Sequence, residues 1–497
     1  MKRTISLLLC FVMALLLLAS CGQDGGAGSS APATSGNGGN TSSGKPEEIT
    51  ILYPGEESDR MTSFLNGEFA ERMLEDLNMK VNVIFVPWDQ YWDKKGIMLG
   101  SQEPIDLYWD GLVDLGEFVN KKEAQPLDDL IEQYGQDMLK VLPMEHIQGG
   151  AIDGTIYGIP SAYASSSAMF QQVCLRQDLL TAVGMTEIST PEDLKEFATR
   201  AMEQFPNIKG AGDPILMPLT RYFSDQPAHN IAKGFLAFFN EETKEVFSYY
   251  ESEAFQKVAK FNREMTLAGL YPDEMTTNYN ERDSRVQSGN YLWVEGSLGK
   301  ETEIIDAVRA NAPDAVMKNY LLAPEKPKYI TAAGGEVICI PYSAPNPSGA
   351  MKWLNWLYSS QKNYLFALYG VEGKDYEIVN GRINRRLITD ELFYEWMFRN
   401  KNYQMFPVET DEAYIEATKT WDDDAIRSPI FGFVYSDENL KEIELNLVEV
   451  EKQFEAIRSG FVDFDTEYPK AVEALKNAGI DEYIADLQRQ VDEFLAA

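Results

Sequence analysis

Histidine, cysteine and positive charge are all scarce in this chain. Two histidines occur in 497 residues, His146 and His229. Neither lies in an HExxH, a zinc-type cluster or a nucleophile elbow, so metal-dependent hydrolysis and Ser–His chemistry lack their parts. A P-loop and a GxGxxG fingerprint are missing as well, and no pattern asks for a cofactor or a metal. Lys and Arg number 44 against 78 Asp and Glu, a net charge of −34. Repulsion from that surplus disfavours a nucleic-acid partner and favours solubility. Four cysteines, at positions 10, 21, 174 and 339, are too few for a disulfide scaffold.

Long apolar runs are also absent, apart from one at the front. Lys2 and Arg3 precede an apolar stretch from Ile5 to Leu18, too short for a comfortable membrane span but laid out as a secretory signal. Leu18-Ala19-Ser20-Cys21 resembles the lipobox of bacterial lipoproteins. That resemblance implies a signal peptide over 1–20 and Cys21 as a lipidated mature N-terminus. From Gly22 to Lys45 the composition is mainly Gly, Ser, Ala, Thr and Asn, which cannot bury enough surface to fold. A coil over 21–45 reaches about 25 to 30 Å, enough for a body to swing above a lipid surface.

About 450 residues follow, 44% of the chain being hydrophobic, which is enough for two or three domains. Glu48–Tyr53 reads as a strand, Arg60–Leu77 as a helix and Lys80–Val86 as a strand. A helix over Trp88–Leu99 and a strand over Ile105–Trp109 extend this alternation, which argues for a largely parallel sheet flanked by helices. Ligands in such sheets lie beyond the carboxyl ends of the strands. Further on, Leu127–Lys140 reads as a helix, and Asp153-Gly154 as a hairpin turn. Ser167–Leu175 is a strand leading into a helix, and Thr190-Pro191 begins another helix with a cap and an N1 proline. Helices are expected at Ser252–Ala268, Lys300–Ala310, Ser348–Tyr369, Glu438–Ser459 and Asp481–Ala496, and a strand at Ala332–Pro341.

Several segments in this order resemble the family-1 extracellular solute-binding proteins of ABC transporters. They are Ile152–Pro160 (IDGTIYGIP), Val173–Leu180 (VCLRQDLL), Val286–Asn290, Gly334–Pro341 with Asn346–Met351, and Tyr369–Tyr376. The stretch from Phe431 onward resembles a tail of uncharacterised role in lipid-anchored Gram-positive members. The resemblance implies an α/β fold of the periplasmic-binding-protein type, type II and maltose-binding-protein-like. Two α/β lobes would enclose a central cleft and be joined by hinge strands. One lobe would span 46–166 plus 338–375 and the other 168–337 plus 376–497, with Ser167–Leu175 and Glu336–Pro341 as crossings. Cys174 and Cys339 would then lie on neighbouring hinge strands, where a disulfide is one option. It further implies a monomer that captures a small solute without transforming it, serves an ABC permease and stays on the extracellular face of the membrane.

Sugar capture uses aromatic faces on the C–H faces of a pyranose, with carboxylates, amides and arginines on its hydroxyls. Candidates at strand ends and loop starts are Tyr53 with Glu56 and Glu57, Trp109 with Asp110, Tyr163, Trp293 with Glu295, and Trp421. Glu336 and Tyr376 join them by their place near the inferred hinge. Trp353 and Trp356, spaced along one helix, suit a core. Asp463, Asp465 and Glu467 alternate like calcium ligands, but Tyr468 stands where the loop glycine belongs, so they read as a solvated loop. A mono- or oligosaccharide is the expected ligand. An oligopeptide receptor, a glycan-processing enzyme and a surface adhesin or sensor are the alternatives.

Overall fold

A computed structural model of the protein describes residues 44–496 except 161–165, 226, 233, 274–278, 332–334, 385–392, 409, 411 and 437–439. The signal segment, Cys21, the tether up to residue 43 and Tyr163 lie outside the described residues.

The opening β-α-β unit follows the apolar pattern of its residues. Strand Glu47–Pro54 pairs in parallel with Met79–Val86 over its whole length. The helical stretch between them runs as two helices, Asp59–Asn66 and Glu68–Leu77. It breaks at Gly67, where an added Cβ would lie 2.9 Å from the Ser63 carbonyl oxygen. Leu107–Gly111 pairs in parallel on the other side of the first strand. Two antiparallel neighbours, Glu336–Cys339 and Gly158–Pro160, complete a five-stranded sheet. Gly158–Pro160, antiparallel to Glu336–Cys339, runs the same way as the first three strands, so the largely parallel expectation holds. Glu336–Cys339, which arrives from distant sequence, is the one strand of this sheet that runs against it.

The second sheet is wholly antiparallel: Gln172–Arg176 lies between Trp293–Gly296 and Met317–Leu321. A third sheet is a meander of Ala228–Asn230, Ala237–Asn240 and Val246–Ser248. Each sheet belongs to its own apolar core. Ile51, Phe69, Tyr108 and Trp353 mark the first. Leu175, Phe197 and Trp293 mark the second. Phe239, Tyr249, Phe454 and Tyr483 mark the third, which joins the meander to the three last helices, Lys441–Arg458, Phe464–Asn477 and Ile480–Ala496. Tyr376, Ile383, Phe393 and Phe398 pack into the first core, so that core draws on chain beyond residue 375.

Local signals were obeyed where a cap or a turn residue dictated them. Thr190 and Asp193 form a reciprocal capping box on helix Pro191–Gln204. Asp153 and Gly154 turn their hairpin at φ of 50° and 78°. Five further expectations change. Leu127–Lys140 shortens to a helix over Asp128–Tyr134, and Ser348–Tyr369 splits into Pro347–Tyr358 and Gln361–Tyr369, the second capped by Ser360. Ser167–Phe170 is a 3₁₀ turn, with extended chain only from Gln172. Cys174 and Cys339 lie in different sheets rather than on neighbouring strands, and both are free and buried. Asp463 is a helix cap rather than part of a loop: its carboxylate accepts from the Thr466 N–H at 3.0 Å.

Candidate ligand-binding cleft

The register of the first sheet defines where a site can form. Glu336 pairs with Gly111, at the carboxyl end of the parallel strands, where a ligand is expected in such a sheet. A cavity of about 1030 Å³ opens there, with Leu112, Val113, Gly335 and Glu336 on its wall.

An aromatic stack backs this wall. Trp88, just past the end of strand Met79–Val86, lies nearly parallel to Trp396, with ring centroids 6.1 Å apart at 24°. Trp109 meets Trp396 edge-on at 5.3 Å. Tyr394 stacks on Trp396 at 5.8 Å, and its backbone N–H donates to the Tyr53 hydroxyl at 2.5 Å. Trp396 faces the cavity, while Tyr53 and Trp109 are buried behind it. The strand-end aromatics thus position a tryptophan that comes from nearly 300 residues later in the chain.

Charged groups lie along the same wall. Glu395 and Arg399 form an ion pair at 3.3 Å. Burial pushes the Glu336 carboxyl up to about 7, against the pull of the nearby Arg399 guanidinium and of its own backbone N–H. A carboxyl with that titration point can donate as well as accept hydrogen bonds near neutrality.

Across the cavity run Ser297, Leu298 and Gly299, followed by Thr302, Glu303 and Asp306 of helix Lys300–Asn311. Gly299 has φ of +97°, and a Cβ there would come within 2.5 Å of the Tyr414 ring. Only glycine meets both demands. Tyr414 in turn meets Phe406 edge-on at 5.9 Å, and both line the cavity. Ile430, Gly432, Phe433 and Val434 contribute a third side.

Of the residues singled out from sequence, Glu336 lines this cavity. Asp110 is buried in an ion pair with Lys95. Glu295 accepts from the backbone N–H groups of Leu216 and Met217, at 2.6 and 3.1 Å, and so caps helix Met217–Phe223. Trp293 is fully buried in the second core, and Tyr376 packs edge-on to Tyr369 in the first. Glu56 and Glu57 are exposed, the latter accepting from the Thr62 hydroxyl at 2.7 Å. Trp421 donates its indole N–H to Ser166 at 3.0 Å beneath Lys328. His229 touches the cavity and pairs with buried Glu241 at 3.0 Å, whereas the His146 ring contacts the Pro160 carbonyl at 2.9 Å. Trp396, Arg399 and Tyr414 carried no local sequence signal.

The model of the family described as bacterial extracellular solute-binding protein matches residues 68–370. The chain belongs to that family. A second model, a domain of unknown function (DUF3502), matches residues 429–496 of this solute-binding protein. A carbohydrate ABC transporter substrate-binding protein of Streptococcus pneumoniae is 24% identical over 470 residues, 91% of this chain and 92% of the relative. Among solved structures, the N-glycan transport solute-binding protein NgtS of S. pneumoniae, in complex with Man1GlcNAc, superposes with a TM-score of 0.72. It is 21% identical, and the match covers 91% of this chain and 100% of that one. The alginate-binding protein AlgQ2 superposes at 0.65 with 15% identity, over 90% and 98% of the two chains. The fold is therefore the periplasmic-binding-protein-like α/β fold with two lobes. Members of the family bind solutes and are not enzymes.

Proposed function

We propose that this protein captures a neutral oligosaccharide outside the cell and delivers it intact to an ABC permease. The observation that carries the reading is the wall chemistry of the cavity. Trp396, Tyr414 and Phe433 offer aromatic surface, and Glu336, Glu303, Asp306 and Arg399 offer hydroxyl partners, the combination that a pyranose needs. At about 1030 Å³ the cavity reaches the top of the range of roughly 300–1,000 Å³ for small-ligand sites, which suits several sugar units. Among the described residues, four carboxylates, Glu303, Asp306, Glu336 and Glu395, outnumber the single arginine on the wall. A polyanionic glycan would meet repulsion there, so a neutral chain of the Man1GlcNAc type bound by NgtS fits better than alginate.

The mechanism follows from the two lobes. We take one as 46–166 with 337–398 and the other as 168–331 with the C-terminal helices. A ligand that touches both walls stabilises the closed arrangement, because only there can it make both sets of contacts. Acylation at Cys21 would hold the body at the membrane, and 22–45 would tether it within reach of the permease as a monomer.

Thermal-shift and calorimetric titration with Man1GlcNAc, alginate oligomers and oligopeptides tests this. A neutral glycan at 100 times its dissociation constant should stabilise the protein by about 2.7 kcal/mol, and mass spectrometry should recover it unchanged. Stabilisation by peptides alone would overturn the sugar reading. Labelling of Cys21→Ser by radioactive palmitate as strong as wild type would overturn the anchor.

A further inference from the structure

The C-terminal domain of unknown function divides into two parts with different surroundings. Its three helices pack against the meander through Leu447, Phe454, Leu475, Tyr483 and Leu487 and are scaffold. Its leading segment, 429–436, joins that core through Ile430 and Tyr435 but also runs along the cavity, placing Gly432, Phe433 and Val434 on the wall.

That segment has no regular secondary structure, yet it is held at both ends. Ser428 donates its N–H to the Ile330 carbonyl at 2.9 Å. At the other end the Gln490 side-chain amide, on the last helix, donates to the Ser436 carbonyl at 2.8 Å and accepts from the Ser436 N–H at 3.0 Å. The Tyr435 carbonyl presses on Gly116 of helix Leu115–Asn120, where an added Cβ would lie 2.2 Å away. Asn120 bonds Ser436 at 3.3 Å. One short stretch therefore touches elements on both sides of the cleft. Irregular backbone fixed by a rigid scaffold is the common seat of binding residues.

Two of its residues, Phe433 and Gly432, line the cavity. Phe433 is half-buried and edge-on to Phe494 of the last helix, with centroids 5.7 Å apart at 79°. Gly432 has φ of +85°, and nothing lies within 4 Å of the place where its Cβ would be. A left-handed glycine that faces open space on a cavity wall exposes bare peptide, which a flat sugar ring can approach closely.

We infer that this domain is a component of the ligand site: segment 429–436 is the floor of the cleft, Phe433 is an aromatic platform for a pyranose unit, and Gln490 is a positioning residue that holds the floor in place. The inference rests on the oligosaccharide reading. It gives the domain a task in recognition, so that its sequence helps to set which glycan is retained.

The test uses the full chain and Man1GlcNAc as probe. In wild-type protein, hydrogen exchange of the amides at 430–435 should slow on adding the disaccharide. Phe433→Leu, which keeps apolar volume but removes the ring, should weaken binding about three- to tenfold at an unchanged melting temperature, and Phe433→Tyr should restore it. Gln490→Ala should speed exchange at 430–436 in the free protein and weaken binding without touching sugar. Wild-type affinity in Phe433→Leu together with unaltered exchange at 430–435 on binding would overturn the inference. A wild-type protein that binds peptides but no neutral glycan would instead sink the oligosaccharide reading.

Discussion

Asp110 and Glu295 close one kind of carboxylate site, and Glu336 opens another. Asp110 and Glu295 follow apolar runs in their strands, and Glu336 precedes one at the start of its strand. Asp110 is neutralised within the first core by Lys95, and Glu295 spends both oxygens on the first N–H groups of a helix. Burial raises both Glu295 and Glu336, but Glu295 is answered by two backbone donors while Glu336 is left beside the cavity near Arg399. Carboxylates that complete the architecture are satisfied internally, whereas the one that lines the cavity lacks such backbone donors from another element among the described residues.

Breaking that contrast starts with the buried pair. Asp110→Ala should strand the Lys95 ammonium and cost about 3–5 kcal/mol in urea unfolding; a loss below about 1 kcal/mol would show that the pair carries no structural load. Trp293→Ala should cost a similar ~3–5 kcal/mol through the cavity it leaves in the second core, while the folded protein keeps wild-type affinity for Man1GlcNAc. A sugar-binding defect without a stability loss would return Trp293 to the site.

Glu336 sharpens the comparison through pH. An unfolded glutamate titrates near 4.5 and the folded one near 7, so folding takes up a proton between those values. Its contribution is fully present below about pH 4.5 and is lost as pH rises through about 7. Glu336→Gln should therefore gain roughly 3 kcal/mol over wild type near pH 8 and nothing near pH 4. Parallel stability curves for the two proteins would refute the shift. The smallest effect is expected from Trp396→Ala, about 1 kcal/mol of lost sugar stacking, read as a roughly fivefold weaker binding constant with folding intact.

The first sheet was legible because its helices and strands alternate locally and each element carries its own period. Strand-end aromatics also pointed to the end of the sheet where the cavity opens. What sequence could not convey was facing: Tyr53 and Trp109 were candidates because of their place, but the return of residues 393–399 over the strand ends buries them and presents Trp396 instead. Glu395–Met397 is a single 3₁₀ turn, too short for any periodicity to announce it. Glu336 was found from its place near a crossing, which depends on chain order and not on neighbours.

The tryptophan stack has an optical consequence. Four of the eight tryptophans, Trp88, Trp92, Trp109 and Trp396, form one connected group with neighbouring centroids 5.3 to 6.1 Å apart. Indoles that close couple their transitions, so a sugar ring laid on Trp396 would perturb the near-ultraviolet dichroism of the whole group. Under the proposed function, that change in dichroism would report cargo without an added label.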